Sequence, residues 1–187
     1  MDTPKIYVAC LAAYNNSYLH GVWIDALQSE DEIYDDIYAM LAASPIESAE
    51  EFAIHDYLGF GDTHIDEYES TPTIVKLVEF INEHGELGAA LLGEYSIDDA
   101  QTFIENHYHG AYDSEVDFAQ TIFEECYSDA IPKNLIYYID HDKFSRDLFI
   151  NDYFSLEVQG RTHIFFLLLS PFPGLIYFYT LKIKICQ

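Results

Sequence analysis

Between Ile6 and Pro132 the chain carries 27 aspartates and glutamates but a single cation, Lys76. Such a stretch repels itself in a compact sphere. An elongated shape relieves that repulsion, and so does a partner rich in Lys and Arg. Over all 187 residues the balance is 33 acidic side chains against 8 basic ones, a formal net charge of -25. Direct binding of DNA or RNA is excluded, because the chain lacks the cations that displace counterions from phosphates. Attachment to an anionic membrane through a basic patch is excluded for the same reason. Disorder is a poor reading as well: 50% of residues are apolar and 29 are Tyr or Phe, whereas acidic disordered chains have few aromatics. The length fits one ordinary domain or a few very small ones.

Cys10, Cys126 and Cys186 are odd in number and widely spaced. They suggest neither a disulfide framework nor a zinc knuckle, and a reducing cytoplasm is the expected location. Met1 to Ala13 lacks the layout of a cleavable signal and reads as a first strand.

The hydrophobic patterning predicts an α+β fold. Ile6 to Ala12 and Leu19 to Ala26 read as strands joined by a turn at Tyr14 to Ser17. Ser29 and Glu32 form a capping box before a helix to about Ala42, with Ile33, Ile37, Met40 and Leu41 at helical period. Phe52 to Tyr57 reads as a third strand, ended by a turn at Leu58 to Gly61. Thr71-Pro72 starts a helix running to Gly85, and a short one covers Leu87 to Gly93. Ser96 caps another, with Asp98 and Asp99 in its first turn, where the helix dipole favours anions. Ser114 and Asp117 open a further helix with Phe118, Ile122, Phe123 and Cys126 on its apolar side. Asn134 to Leu148 reads as helical or turn-like, and Tyr153 to Phe166 as a hairpin around Gly160.

On the helix after Ser29, Asp31 and Asp35 form an i,i+4 pair, as do Glu32 and Asp36, all facing away from Ile33, Ile37 and Leu41. Four residues rise about 6 Å along a helix, and B-DNA has one phosphate per roughly 3.4 Å on each strand. Carboxylates one helical turn apart therefore imitate a thinned row of phosphates. At about 1.7 Å per charge, roughly 25 uncompensated charges match on the order of 40 Å of duplex, about a dozen base pairs. Composition alone leaves three readings open: a solvated face that aids solubility, nucleic-acid mimicry, and halophilic adaptation or cation buffering.

Signatures of enzymes are lacking. There is no GxSxG elbow, P-loop or HExxH. Gly59-Phe60-Gly61 begins like a dinucleotide loop but lacks the third glycine and reads as a turn. His107 and His109 offer two imidazoles, with Glu105 and Asp113 near in sequence, yet a fourth ligand at recognisable spacing is missing. The expectation is no catalytic residue, no metal and no cofactor.

Several separated segments resemble the ArdA-type antirestriction family. They are Lys5 to Asn16 (KIYVACLAAYNN), Leu19 to Ala26 (LHGVWIDA), Glu50 to Tyr57 with Gly59-Phe60-Gly61, and Glu83 to Ala90 (EHGELGAA). Leu135 to Leu148, with Tyr138-Ile139-Asp140 and Arg146-Asp147-Leu148, is similar too. The resemblance implies an acidic mimic of B-DNA, carried by mobile genetic elements, that competitively occupies the DNA-binding groove of type I restriction-modification enzymes. It also implies an elongated chain of three small domains, paired as a homodimer. The expected boundaries are 1-61 (mixed α/β), 62-103 (helical) and 104-165 (α/β), with an atypical apolar tail at 166-187. Membrane association of that tail is not expected, since two prolines interrupt it and it is short for a span.

The carboxylates expected to face the enzyme are Asp31, Glu32, Asp35, Asp36, Glu50, Glu51, Asp66, Glu67, Glu69, Glu83, Glu86, Asp98, Asp99 and Glu105. The family's antirestriction motif, near its dimer contact, maps to about Glu115 to Asp129, including Asp117, Phe118, Glu124 and Glu125. The alternative partner is another basic DNA-binding protein.

Overall fold

The computed structural model describes residues 2-167, so the expected apolar tail lies outside the described residues except for Phe166 and Leu167. The chain divides into two compact units, with the boundary along the chain between Ala100 and Gln101. The described residues form a mixed α/β structure with six α-helices and two three-stranded antiparallel sheets.

The first unit begins with β1 (Lys5–Cys10), which pairs antiparallel with β2 (Gly21–Asp25) and β3 (Phe52–Leu58), giving the order β2-β1-β3. Ile6, Val8 and Cys10 alternate along β1 and are buried, as a half-covered sheet requires. In register, Tyr7 sits opposite Trp23, with ring centroids 5.4 Å apart. The expected first strand is too long at its end. Leu11–Asn15 forms a short helix, α1, because Cys10 Sγ accepts the Ala13 N–H and caps it. The expected second strand likewise starts late, at Gly21. His20 leaves the strand and Nε2 meets the Met40 carbonyl at 2.7 Å.

Helix α2 (Glu30–Ala42) covers the sheet with Ile33, Ile37, Met40 and Leu41. Its capping box is complete, Ser29 Oγ accepting the Glu32 N–H while Glu32 Oε2 accepts the Ser29 N–H. Gly59 turns the chain after β3 at φ 80°, where a Cβ would stand 2.6 Å from the Asp2 carbonyl oxygen. Phe60 beside it is core, 1% exposed, which fits a structural turn. The two helices expected around Gly85 run as one element, α3 (Thr71–Glu94), broken at Gly85 where φ is 61° and ψ is -142°. Ile74, Leu77, Val78, Phe80 and Ile81 are buried before the break, and Ala89, Leu91 and Leu92 after it. Helix α4 (Ile97–Thr102) follows, with Ser96 Oγ accepting the Asp99 N–H.

After α4 a π-type turn at Phe103–His107 leads into β4 (Tyr108–Tyr112), a strand that the sequence reading did not anticipate. It is bulged at His109, between Tyr108 and Gly110 (φ 113°), which interrupts the alternation expected of a strand. Helix α5 (Glu115–Cys126) is N-capped by Ser114. The segment read as helical or turn-like resolves into a 3-10 turn at Ile136–Tyr138 and then α6 (His141–Asn151), N-capped by Asp140. Strands β5 (Tyr153–Val158) and β6 (Arg161–Phe166) form the hairpin, turning through Gln159 and Gly160, both at positive φ. The sheet order is β4-β6-β5. Phe118, Tyr153 and Ile164 centre the core, with Tyr112, Ile122, Leu148, Phe149 and Phe166 packed around them.

Candidate functional site

All 33 carboxylates lie among the described residues and none is buried. Asp25, Glu69, Glu115 and Asp152 are half-buried and the remainder are exposed. This follows from the cost of moving an ionised group out of water, which an exposed position avoids. The distribution is uneven. The first unit holds 21 acidic side chains against Lys5 and Lys76, a net -19.

Asp31, Glu32, Asp35 and Asp36 all project from the exposed face of α2. Hydrogen bonds from the Ser29 hydroxyl and amide hold the Glu32 carboxyl below its ordinary value, so it stays ionised further into acid. Asp36 accepts the Gln28 amide at 3.0 Å. Glu50 and Glu51 stand exposed just before β3. Between β3 and α3, Asp66 lies 3.3 Å from His64 and Glu67 lies 3.7 Å from His55, while Glu69 accepts the Ser70 N–H. Glu83 and Glu86 flank the break at Gly85, exposed. Asp98 and Asp99 occupy the first turn of α4, where Asp99 accepts the Ser96 hydroxyl. Glu105 belongs to the second unit and accepts the Gln101 amide.

The structure thus gathers four expected residues on α2 and three on the loop before α3. Asp2, Glu30, Glu47, Asp56, Asp62, Glu79 and Glu94, outside the expected set, are equally exposed in the same unit. Glu30 was discoverable: the capping box itself fixes it in the first turn of α2.

The residues from Glu115 to Glu125 lie along α5 with divided roles. Asp117, Glu124 and Glu125 are exposed, Glu124 accepting the Gln120 amide. Glu115 is half-buried and accepts the Ser155 hydroxyl at 2.7 Å, tying α5 to β5. Phe118 is wholly buried against Tyr112, Tyr153 and Phe149, so any part it plays is through packing.

His107 and His109 pack among aromatic rings. His107 stacks on Phe166, and His109 meets Phe118 and Tyr153 edge-on. Burial lowers the pKa of both, and His107 adds to the shift at His109. Among the described residues no group of three or more His, Cys, Asp or Glu is placed to hold a metal ion, and no helix is long and apolar enough to cross a membrane.

Fold and surface together define a small acidic α+β protein with its ionised groups displayed on solvated helix faces and loops. The chain matches the model of the family described as Antirestriction protein (ArdA) over residues 6-162, and it belongs to that family. ArdA proteins are inhibitors, and membership implies an antirestriction function exercised on restriction-modification enzymes. No curated protein matches the chain.

Proposed function

We propose that the chain inhibits type I restriction-modification enzymes by presenting its carboxylates as the phosphates of B-DNA and occupying the DNA-binding groove. One observation carries this reading: no carboxylate is buried, and the unit bearing most of them has two cations. A groove built for DNA is basic, and binding a polyanion releases counterions with a free-energy gain that DNA shares. The polypeptide offers no phosphodiester to cut. Asp31 with Asp35 and Glu32 with Asp36 supply charge at about 6 Å steps along α2.

The same reading assigns a homodimer, with Glu115, Asp117, Phe118, Glu124 and Glu125 near its contact, and a three-part organisation at 1-61, 62-103 and 104-165. Inhibition is competitive and stoichiometric, with electrostatic steering speeding association.

The test is a titration of the protein into a type I enzyme bound to labelled DNA at 50 and 200 mM salt. Mimicry predicts displacement at about one dimer per groove, weakened by orders of magnitude at the higher salt. Inhibition without displacement of DNA, or displacement indifferent to salt, overturns it. Binding confined to other basic DNA-binding proteins overturns the choice of partner.

A further inference from the structure

A cavity of about 180 Å³ opens on the first unit, lined by Tyr34, Phe52, Glu67, Tyr68, Glu69, Ser70 and Thr71. Three elements build it. Tyr34 comes from α2, Phe52 from the start of β3, and the others from the chain entering α3. That last segment is fixed against β3, because the Glu67 carbonyl accepts the Ile54 N–H at 2.8 Å. The volume suits a group of several heavy atoms rather than one water.

Its lining residues combine three aromatics, Tyr34, Phe52 and Tyr68, with two acids, Glu67 and Glu69. Tyr34 is backed by Tyr38, stacked at 5.9 Å. Tyr68 is 71% exposed, a large side chain that the fold does not need inside. The start of α3 does not reserve the cavity for an anion. Glu69 accepts the Ser70 N–H, Ser70 Oγ accepts the Thr73 N–H, and Pro72 has no N–H to offer. Glu67 faces His55 with Oε1, 3.7 Å away, which leaves its other oxygen for a newcomer.

Rings favour a cation over their faces, and Glu67 and Glu69 each keep one carboxylate oxygen for a charged donor. Guanidinium meets both demands at once, its flat face lying on a ring while its N–H groups reach the two carboxylates. An ammonium is more strongly hydrated and lacks the flat face. A phosphate or a nucleic-acid backbone is repelled by the surrounding charge, and an apolar side chain would strip water from Glu67 and Glu69 without replacing it.

We infer that this cavity receives an arginine side chain of the basic enzyme groove, making Tyr34 and Tyr68 a specific anchor within an otherwise diffuse acidic surface. The inference rests on the mimicry reading for its partner, and not for its chemistry. A groove that grips DNA carries arginines aimed at phosphates, and one of them would find rings as well as negative charge here.

The experiment uses the full chain with labelled tyrosine rings, titrated by NMR with N-acetylarginine methylamide and with its lysine counterpart at equal ionic strength. The expected result is saturable movement of the Tyr34 and Tyr68 resonances with the arginine probe and a clearly smaller response to lysine. Tyr68→Leu abolishes the response at Tyr34, while Tyr34→Phe retains the response at Tyr68. In parallel, Tyr68→Leu weakens binding to a type I enzyme about tenfold, while Tyr137→Leu, at an exposed tyrosine that does not line the cavity, leaves it near wild type. Equal responses to the two probes, or a response at Tyr34 that survives Tyr68→Leu, overturns the anchor. Failure of the wild-type protein to displace DNA, with the probe response intact, supports the cavity's chemistry and removes only the proposed partner.

Discussion

The first unit carries 21 carboxylates against Lys5 and Lys76, whereas the second carries 12 against six cations, a net -19 beside a net -6. Their cores differ in parallel. Ile6, Val8, Ile24, Ile33, Ile37, Ile74, Val78 and Leu91 fill the first, while Phe118, Phe123, Tyr153 and Phe165 dominate the second. Ion pairs diverge too. Lys143–Asp140 and Arg161–Asp113 lie in the second unit, whereas the pairs at Glu67, Asp66 and Glu83 depend on histidines that carry charge only when protonated. The contrast teaches that charge and fold are kept separate. In the first unit a mainly aliphatic core, with Phe60 and Phe80 among it, opposes a repulsive surface with little help from that surface. In the second, packed rings and ordinary pairing stabilise the same scale of structure.

The sharpest way to break the comparison is to truncate one core. Phe118→Ala is expected to cost about 3–5 kcal/mol, measured by urea denaturation. Amide exchange should show protection lost in β4, β5 and β6 but kept in β1, β2 and β3. Equal loss in both sheets would mean that the units melt together and that the contrast has no thermodynamic meaning.

A second test bears on function. Neutralising Asp31, Glu32, Asp35 and Asp36 together to Asn and Gln should reduce the slope of log affinity against log salt by about three to four. Neutralising Asp129, Asp142, Asp147 and Glu157 in the second unit should change it less. Matching effects from the two sets would dissolve the distinction. Any single change, Asp35→Asn for instance, should alter affinity by less than about threefold, as exposed ion pairs do.

Capping provides a smaller and more local comparison. Ser29→Ala and Asp140→Ala each remove a side-chain acceptor from a helix start, and each should lower the melting temperature modestly. Asp140 also loses the Lys143 pair at 2.8 Å, exposed and worth little more. Thermal melts of the two variants should fall close together, and a much larger loss for Asp140→Ala would show that surface pairing in the second unit matters more than its exposure suggests.

The smallest effect is in acid. Burial holds His107, His109 and His163 below the ordinary histidine value of 6.5. The folded second unit therefore binds these protons less readily than the unfolded chain does. Its stability is complete above that value and declines as pH falls through it. Melts at pH 7.5 and 5.5 should show the second unit's Tm falling. Raising salt at fixed pH should instead stabilise the first unit, because screening weakens its self-repulsion.

Much of this was legible in the sequence for identifiable reasons. Ser29 with Glu32, Ser114 with Asp117 and Thr71-Pro72 announce helix starts through local hydrogen bonding, which needs no tertiary context. The hairpin of β5 and β6 was visible because Gly160 is flanked by alternating apolar residues. Strand β4 was hidden, since its bulge at His109 breaks the two-residue period and its pairing partner lies some 50 residues onward. Helix α1 was hidden because a cysteine is an unusual cap. The acidic surface was legible as composition, but the cavity at Tyr34 and Tyr68 was not. Those residues meet only because the loop after β3 docks beside it, and no spacing encodes that.

One consequence follows from most acidic groups being held by solvent instead of by a buried partner, Glu115 and Glu157 excepted. The rest are not locked to their addresses by the interior, so a lineage can shed a carboxylate here and acquire one a turn away at almost no structural penalty. Selection then acts on the tally and rough layout of negative charge, and the exterior is free to drift while the interior stays recognisable.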